Sequence, residues 1–113
     1  YFRAGIDSLD FFLQRDDPGR VIAMIRMLQA HTQMYRGLLL IMVSVNGLPA
    51  SVRQELSSIA DMVLTFGVRT IGSDFETSMI VSKFRNAPEN LKMLVFRVTP
   101  EEGITPETVE RIA

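Results

Sequence analysis

The sequence predicts an α/β domain with a mostly parallel sheet, helices on both faces of that sheet, and antiparallel strands at one edge. In the first 66 residues, apolar runs of strand length alternate with segments of helical periodicity. The run GLLLIMVSV at 37–45 is apolar on both faces, which is typical of a strand inside a parallel sheet that helices cover. After residue 66, alternating segments follow one another without a helix between them, which favours antiparallel pairing.

The composition is that of an ordinary globular domain. With 113 residues, the chain is large enough for one domain with a core but too short for two. A net charge of −1 gives no electrostatic argument for nucleic acid or an anionic membrane, although a nucleotide needs only a few local positive groups. The absence of cysteine excludes disulfides, cysteine-ligated zinc sites and thiol chemistry and fits a cytoplasmic chain. No apolar run approaches the length of a membrane span.

The first predicted strand spans residues 1–6, and Asp7 follows it directly. Asp17 has the position of a helix N-cap and Pro18 that of the first turn, so we expect a helix from Pro18 to about Met34. Apolar residues recur with helical spacing throughout this segment. The doubly apolar run follows directly as the second strand.

A capping-box spacing begins the next element. Ser51 and Gln54 have this spacing, which predicts a helix through Ala60, and a short strand follows at 61–66. The predicted order is therefore βαβαβ, followed by two more strands and a short helix. These last elements are strands at 75–85 and 91–98, a loop at 86–90 between them, and a terminal helix starting at Thr105-Pro106-Glu107.

Polar residues follow two of the predicted parallel strands. Asp7 and Ser8 come after the first strand, while Ser44 and Asn46 share one face at the end of the second. Ligands of an open parallel sheet lie outside the carboxyl ends of its strands, which makes these residues candidates for a binding site. An aspartate there can hold magnesium, and an asparagine can orient a water or sense a phosphate. Alternatively, Asp7 caps a turn and Asn46 occupies a β-turn position.

A pair of cations, Lys83 and Arg85, lies at the end of the strand predicted at 75–85. Strict alternation places both on the face that also carries Phe75 and Val81. Two cations this close repel each other unless an anion or solvent separates them. The pair therefore forms either a solvated strand end or a phosphate clamp, in which arginine offers a planar fork and lysine a point charge.

Five segments together resemble the KaiC-like branch of the RecA-like P-loop ATPases. The resemblance runs through essentially the whole chain in the family's order. The segments are IDSL at 6–9, LLLIMVSVN at 38–46, ADMVLTF at 60–66, VSKFRNAPEN at 81–90 and FRVTPEEGI at 96–104.

The resemblance implies a role for each candidate residue. Asp7 would be the Walker B aspartate that holds the Mg²⁺ of bound ATP, with Ser8 assisting. Asn46 would sense the nucleotide. Lys83 and Arg85 would act in trans, on the phosphates of ATP held by a neighbouring subunit. The implied cofactors are ATP and Mg²⁺, and the implied assembly is a homo-oligomeric ring or filament, with room for other protein partners.

The chain departs from the family in what it lacks. A P-loop requires the pattern GxxxxGK[ST], and no lysine of this chain follows a glycine. The family's catalytic glutamate lies upstream of Walker B, and Asn86 replaces the usual glycine after KxR. We therefore expect residues 1–113 to form the C-terminal part of a single RecA/KaiC-like domain, which by itself does not hydrolyse ATP.

Two other functions fit the same segments. A RecA-like domain without a P-loop could serve as a non-hydrolysing regulatory or oligomerisation module. A DNA-recombinase relative would share the fold and the asparagine after the second strand, but the nearly neutral charge and the absence of a basic loop argue against it.

Overall fold

A computed structural model describes residues 2–85 and 91–112 of the chain. The chain divides into two compact units, Tyr1–Ile59 and Ala60–Ala113. The helices are α1 (Asp10–Arg15), α2 (Pro18–Met34) and α3 (Ala50–Ile59). The strands are β1 (Arg3–Ile6), β2 (Leu38–Ile41), β3 (Met62–Ile71), β4 (Asp74–Phe84), β5 (Leu91–Thr99) and β6 (Gly103–Ile112).

The first unit contains a parallel pair of strands, β1 and β2, as the sequence predicts. Hydrogen bonding continues past the end of both strands. Met42 donates its N–H to the carbonyl oxygen of Ile6 (3.0 Å), and Leu9 donates its N–H to that of Met42 (2.8 Å). The chain segments that leave β1 and β2 therefore stay side by side at the carboxyl edge of the pair.

Helix α2 begins and ends where the sequence predicts. Pro18 occupies its first turn, and Asp17 precedes it with the extended backbone of an N-cap residue (φ −61°, ψ 131°), although its side chain makes no capping hydrogen bond. Helix α3 is also confirmed, but it begins at Ala50. Ser51 therefore lies inside the helix, and the capping box that the sequence predicts does not form.

The core of the first unit lies between its helices and one face of the parallel pair. Leu9 is fully buried at its centre. On β2 the side chains alternate, so Ile41 packs against this core whereas Leu38 and Leu40 on the opposite face are 51% and 62% exposed. The helices that the structure describes thus cover one face, where the sequence predicts both. The buried residues are Leu9, Val21, Ile22, Ile25, Val52 and Ile59.

The second unit is an antiparallel sheet in the order β3-β4-β5-β6. Strands β3 and β4 are joined by a two-residue turn in which Gly72 has φ 61°, a conformation that glycine adopts without a steric cost. Gly103 (φ 70°) closes the loop between β5 and β6 in the same way. These tight turns place β4 beside β3 and β6 beside β5.

The two faces of this sheet differ in composition. The register places Phe66, Met79 and Leu94 in one cross-strand row and Arg69, Glu76 and Arg97 in a row on the other face. The second face is mixed, because it also carries Ile80 and Val95. The apolar face carries Leu64, Phe66, Val68, Phe75, Met79, Val81, Leu94, Phe96, Val98 and Ile104.

Two features of this arrangement correct the sequence prediction. The strand predicted at 61–66 was expected in a mostly parallel sheet, but β3 pairs antiparallel with β4 and extends to Ile71. The prediction of a terminal helix is wrong, because Thr105 and Pro106 lie in strand β6. Pro106 lies opposite Phe96, beside a shift in the β5–β6 register, where a residue without an N–H is tolerated. Pairing with β5 thus overrides the local helix-start pattern.

Candidate functional site

The candidate site of the first unit is the carboxyl edge of the β1–β2 pair. Asp7 and Ser8 follow β1 directly, and Ser44 and Asn46 follow β2 after a short extended stretch. Because the two strands are parallel, the segments that carry these residues leave the sheet at the same edge. The structure therefore brings together the two polar segments that the sequence predicts.

Asp7 and Ser8 have different environments. Asp7 is exposed, whereas Ser8 is half-buried and its Oγ accepts the backbone N–H of Asp10 (3.1 Å). The peptide bond that joins Asp7 to Ser8 is cis. The carboxylate of Asp7 is thus open to solvent, while Ser8 contributes to the structure of the turn.

Asp10 is the residue that joins the two segments, and sequence analysis missed it. Its Oδ1 and Oδ2 accept the backbone N–H of Ser44 at 3.1 and 3.3 Å. Hydrogen bonds from the Ser44 side chain, the Ser8 side chain and the Ser44 backbone hold the pKa of Asp10 below its usual value. Helix α1, whose first turn carries Asp10, was not predicted from the sequence, and an acid in the first turn of a short helix is in any case too common to indicate a contact 34 residues away.

The sequence predicts that Asn46 shares a strand face with Ser44, and this prediction is wrong. Strand β2 ends at Ile41, and Asn46 lies in a turn closed by a hydrogen bond from the Leu48 N–H to the Val45 carbonyl oxygen (3.2 Å). Gly47 in this turn has φ 81°. The β-turn alternative therefore describes the backbone of Asn46, whose side chain is exposed next to the strand edge.

The carboxylate of Asp7 fits one mode of magnesium binding. Mg²⁺ is commonly held by one or two protein carboxylates together with waters and substrate phosphates. Asp7 is exposed at the strand edge, whereas the carboxylate of Asp10 already accepts a backbone N–H. Among the residues that the structure describes, no three acidic or histidine side chains form a cluster that could hold a metal ion. A site here would therefore be of the single-carboxylate type.

Lys83 lies in the second unit, where β4 carries a bulge. The register pairs Lys83 with Val63 but Val81 with Leu64, so β4 has one extra residue at Ser82. The hydroxyl of Ser82 lies 3.0 Å from that of Thr65 on the mixed face. The bulge interrupts the alternation that was expected to align Lys83 with Val81, and it turns the end of the strand.

Arg85 follows the end of β4 and contacts Asp61. Its guanidinium lies 3.2 Å from the Asp61 carboxylate, and its backbone N–H is donated to the Asp61 carbonyl oxygen (2.8 Å). The two side chains are 44% and 64% exposed. Arg85 is therefore held beside Asp61, just before β3. It lies beyond the end of β4, so it does not continue the row of side chains that carries Phe75 and Val81. Asn86 and the rest of the predicted loop at 86–90 lie outside the described residues.

No helix in the described part of the chain is both long enough and apolar enough to cross a membrane.

The fold of the chain is similar to that of a known protein. It matches the crystal structure of the flagellar accessory protein FlaH from Methanocaldococcus jannaschii with a TM-score of 0.53 and 20% sequence identity. The match covers 83% of this chain and 40% of the FlaH chain, so this chain spans less than half the length of that protein. No protein-family model and no curated protein matches the sequence. The likeness concerns the fold alone.

Proposed function

We propose that this chain is the C-terminal part of a RecA-like ATPase domain of the KaiC-like branch, which binds ATP–Mg²⁺ and acts across subunit interfaces in a ring or filament. The observation that carries the proposal is the parallel β1–β2 pair, with Asp7 at its carboxyl edge beside the segment that follows β2. The fold likeness to FlaH over 83% of the chain supports the same assignment.

The residues of the strand edge would act on the nucleotide. Asp7 would hold the Mg²⁺ ion, and Ser8 would assist while it fixes the turn through the Asp10 N–H. Asn46, exposed in the turn that follows β2, would donate or accept a hydrogen bond near the phosphates. The bound Mg²⁺ would supply charge neutralisation of the phosphate oxygens.

Lys83 and Arg85 would supply positive charge to a neighbouring subunit's nucleotide. Cations placed in this way stabilise the charge on a transferring phosphoryl group. The ion pair with Asp61 would hold the Arg85 side chain near one position before the neighbour binds. Since both partners are well exposed, this pair contributes no more than about 1 kcal/mol, and a phosphate can replace Asp61 as the partner of Arg85.

Nucleotide binding is tested with the full-length gene product and its Asp7→Asn variant. We expect Mg²⁺–ATP to raise the melting temperature of the unmodified protein, because ligand at 100 times Kd stabilises a protein by about 2.7 kcal/mol. The variant should lose the magnesium-dependent part of that rise. Asp16→Asn is the matched control, since Asp16 is also exposed but lies after α1. An equal magnesium-dependent rise in Asp7→Asn would exclude the role of Asp7.

Action in trans is tested by mixing two inactive variants. Arg85→Ala should lower turnover by about 10³-fold or more, as loss of an arginine finger does, and Asp7→Asn should also be inactive. In a 1:1 mixture, roughly a quarter of the interfaces combine an intact Asp7 with an intact Arg85, so part of the turnover should return. Asp61→Asn, which keeps the Arg85 guanidinium, should remain active. No recovery on mixing, with subunit exchange verified, would refute action in trans.

A second candidate function is a non-hydrolysing regulatory or oligomerisation module with the same fold. The observation that favours it is the absence of GxxxxGK[ST] from the 113 residues. It predicts that the full-length protein assembles without ATP and that its melting temperature does not respond to Mg²⁺–ATP. The melting experiment above therefore distinguishes the two functions.

A further inference from the structure

The turn after β1 is tied down by three successive residues. Ser8 accepts the N–H of Asp10 through its hydroxyl oxygen, and Leu9 donates its own N–H to the Met42 carbonyl oxygen (2.8 Å). The Leu9 side chain is fully buried in the core of the first unit. Backbone hydrogen bonds and the buried Leu9 side chain therefore hold this turn in place at the strand edge.

The segment after β2 is hydrogen-bonded to this turn through the side chain of Asp10. Strand β2 ends at Ile41, so the N–H of Ser44 lies beyond the sheet ladder. That N–H is donated to the two carboxylate oxygens of Asp10, at 3.1 and 3.3 Å. A hydrogen bond from a backbone N–H to an ionised carboxylate is stronger than one between neutral groups. The contact thus holds together two parts of the chain that are 34 residues apart in sequence.

We propose that Asp10 is a positioning residue for the strand edge, which holds the segment Ser44–Asn46 at a fixed place beside the Asp7–Ser8 turn. Asn46 follows Ser44 by two residues in a tight turn, so the position of Ser44 sets where Asn46 begins. Binding groups on separate segments are effective only when their supporting contacts hold them in place. The consequence for ATP rests on the proposed function, but the contact itself does not.

The test compares Asp10→Ala, Asp10→Asn and Asp16→Ala in the full-length protein. Asp10→Ala removes the acceptor, Asp10→Asn retains one carbonyl oxygen, and Asp16→Ala removes an exposed acid just after the other end of α1. The first readout is the Ser44 amide, followed by its NMR resonance and its hydrogen exchange. We expect exchange to become at least about tenfold faster in Asp10→Ala, to be partly restored in Asp10→Asn, and to be unchanged in Asp16→Ala.

The second readout is the affinity for Mg²⁺–ATP. If Asp10 positions the nucleotide-binding edge, Asp10→Ala should weaken binding by about tenfold, and Asp10→Asn should recover most of the loss. An unchanged Ser44 amide in Asp10→Ala overturns the proposal. A changed amide with unchanged affinity also overturns it, because the segment would then not serve the site. If the unmodified protein does not bind ATP, the proposed function fails, and the Ser44 amide alone decides the role of Asp10.

Discussion

The two units of this chain use their apolar residues differently. In the first unit, helices α2 and α3 cover one face of a two-stranded sheet and bury six apolar side chains. In the second unit, no residue whose side chain the structure describes is buried, although one face of its sheet is almost entirely apolar. Phe66, Phe75 and Ile104 on that face are 58%, 55% and 69% exposed.

The difference shows where each unit obtains its stability. Burial of apolar surface contributes about 25 cal/mol per Å², and the first unit obtains this from helix packing. The second unit depends, within its described residues, on the hydrogen bonds of the sheet and on cross-strand side-chain pairs, which contribute about 0.2–1 kcal/mol each. A contiguous apolar face of this extent is the kind of surface that further protein usually covers.

The largest expected effect is loss of the side chain at the centre of the first unit's core. Leu9→Ala should lower the free energy of unfolding by about 3–5 kcal/mol, because it removes buried methyl groups and leaves a cavity. Leu64→Ala in β3, where the side chain is 42% exposed, should cost less than about 1 kcal/mol. Urea denaturation followed by circular dichroism measures both. Equal losses would contradict the contrast between the two units.

A smaller effect is expected from surface ion pairs. Arg69 on β3 bonds one carboxylate oxygen of Glu76 on β4 twice, at 2.8 and 2.9 Å, and Glu76 is only 14% exposed. Arg26 and Glu55, between α2 and α3, are 3.8 Å apart and both 55% exposed. Double-mutant cycles to alanine should give a coupling of about 0.5–1 kcal/mol for the cross-strand pair and less for the pair between the helices. The reverse order would contradict this view of the second unit.

The smallest expected effect is local and depends on pH. The folded-state pKa of Asp10 is lowered, so the contact with Ser44 is complete above the unfolded value of 3.8 and is lost as the pH falls through the folded pKa. The Ser44 amide resonance should therefore titrate with a midpoint below pH 3.8, and Asp10→Asn should abolish that change. Because the carboxyl is exposed to solvent, global unfolding should not accompany it. A midpoint at or above 3.8 would show that the bonds to Ser44 are not formed in solution.

Local signals allowed much of the first unit to be predicted. Asp17 and Pro18 identify the start of α2, and the apolar run from Gly37 identifies β2, because capping and periodicity depend on neighbouring residues. The parallel direction of β1 and β2 follows from the helix between them. The edge that carries Asp7 was therefore predictable from the sequence.

Other features were decided by contacts between distant residues. The sequence around Thr105 has a helix-start pattern, yet pairing with β5 makes it a strand. The bulge at Ser82 changes where Lys83 lies, and it has no local signature in the sequence. Asp10 became part of the candidate site only through its contact with Ser44. Each of these depends on which segments lie side by side, which the neighbouring residues alone do not specify.

The sequence by itself thus determined helices α2 and α3 and strands β1 and β2 of the first unit, but not α1, because capping and periodicity depend on near neighbours. It also determined which polar residues end those strands. The tertiary structure decided that Arg85 contacts Asp61 and that Asp10 holds Ser44. These contacts join residues far apart in the chain, and their free energies depend on geometry that exists only once the strands have paired.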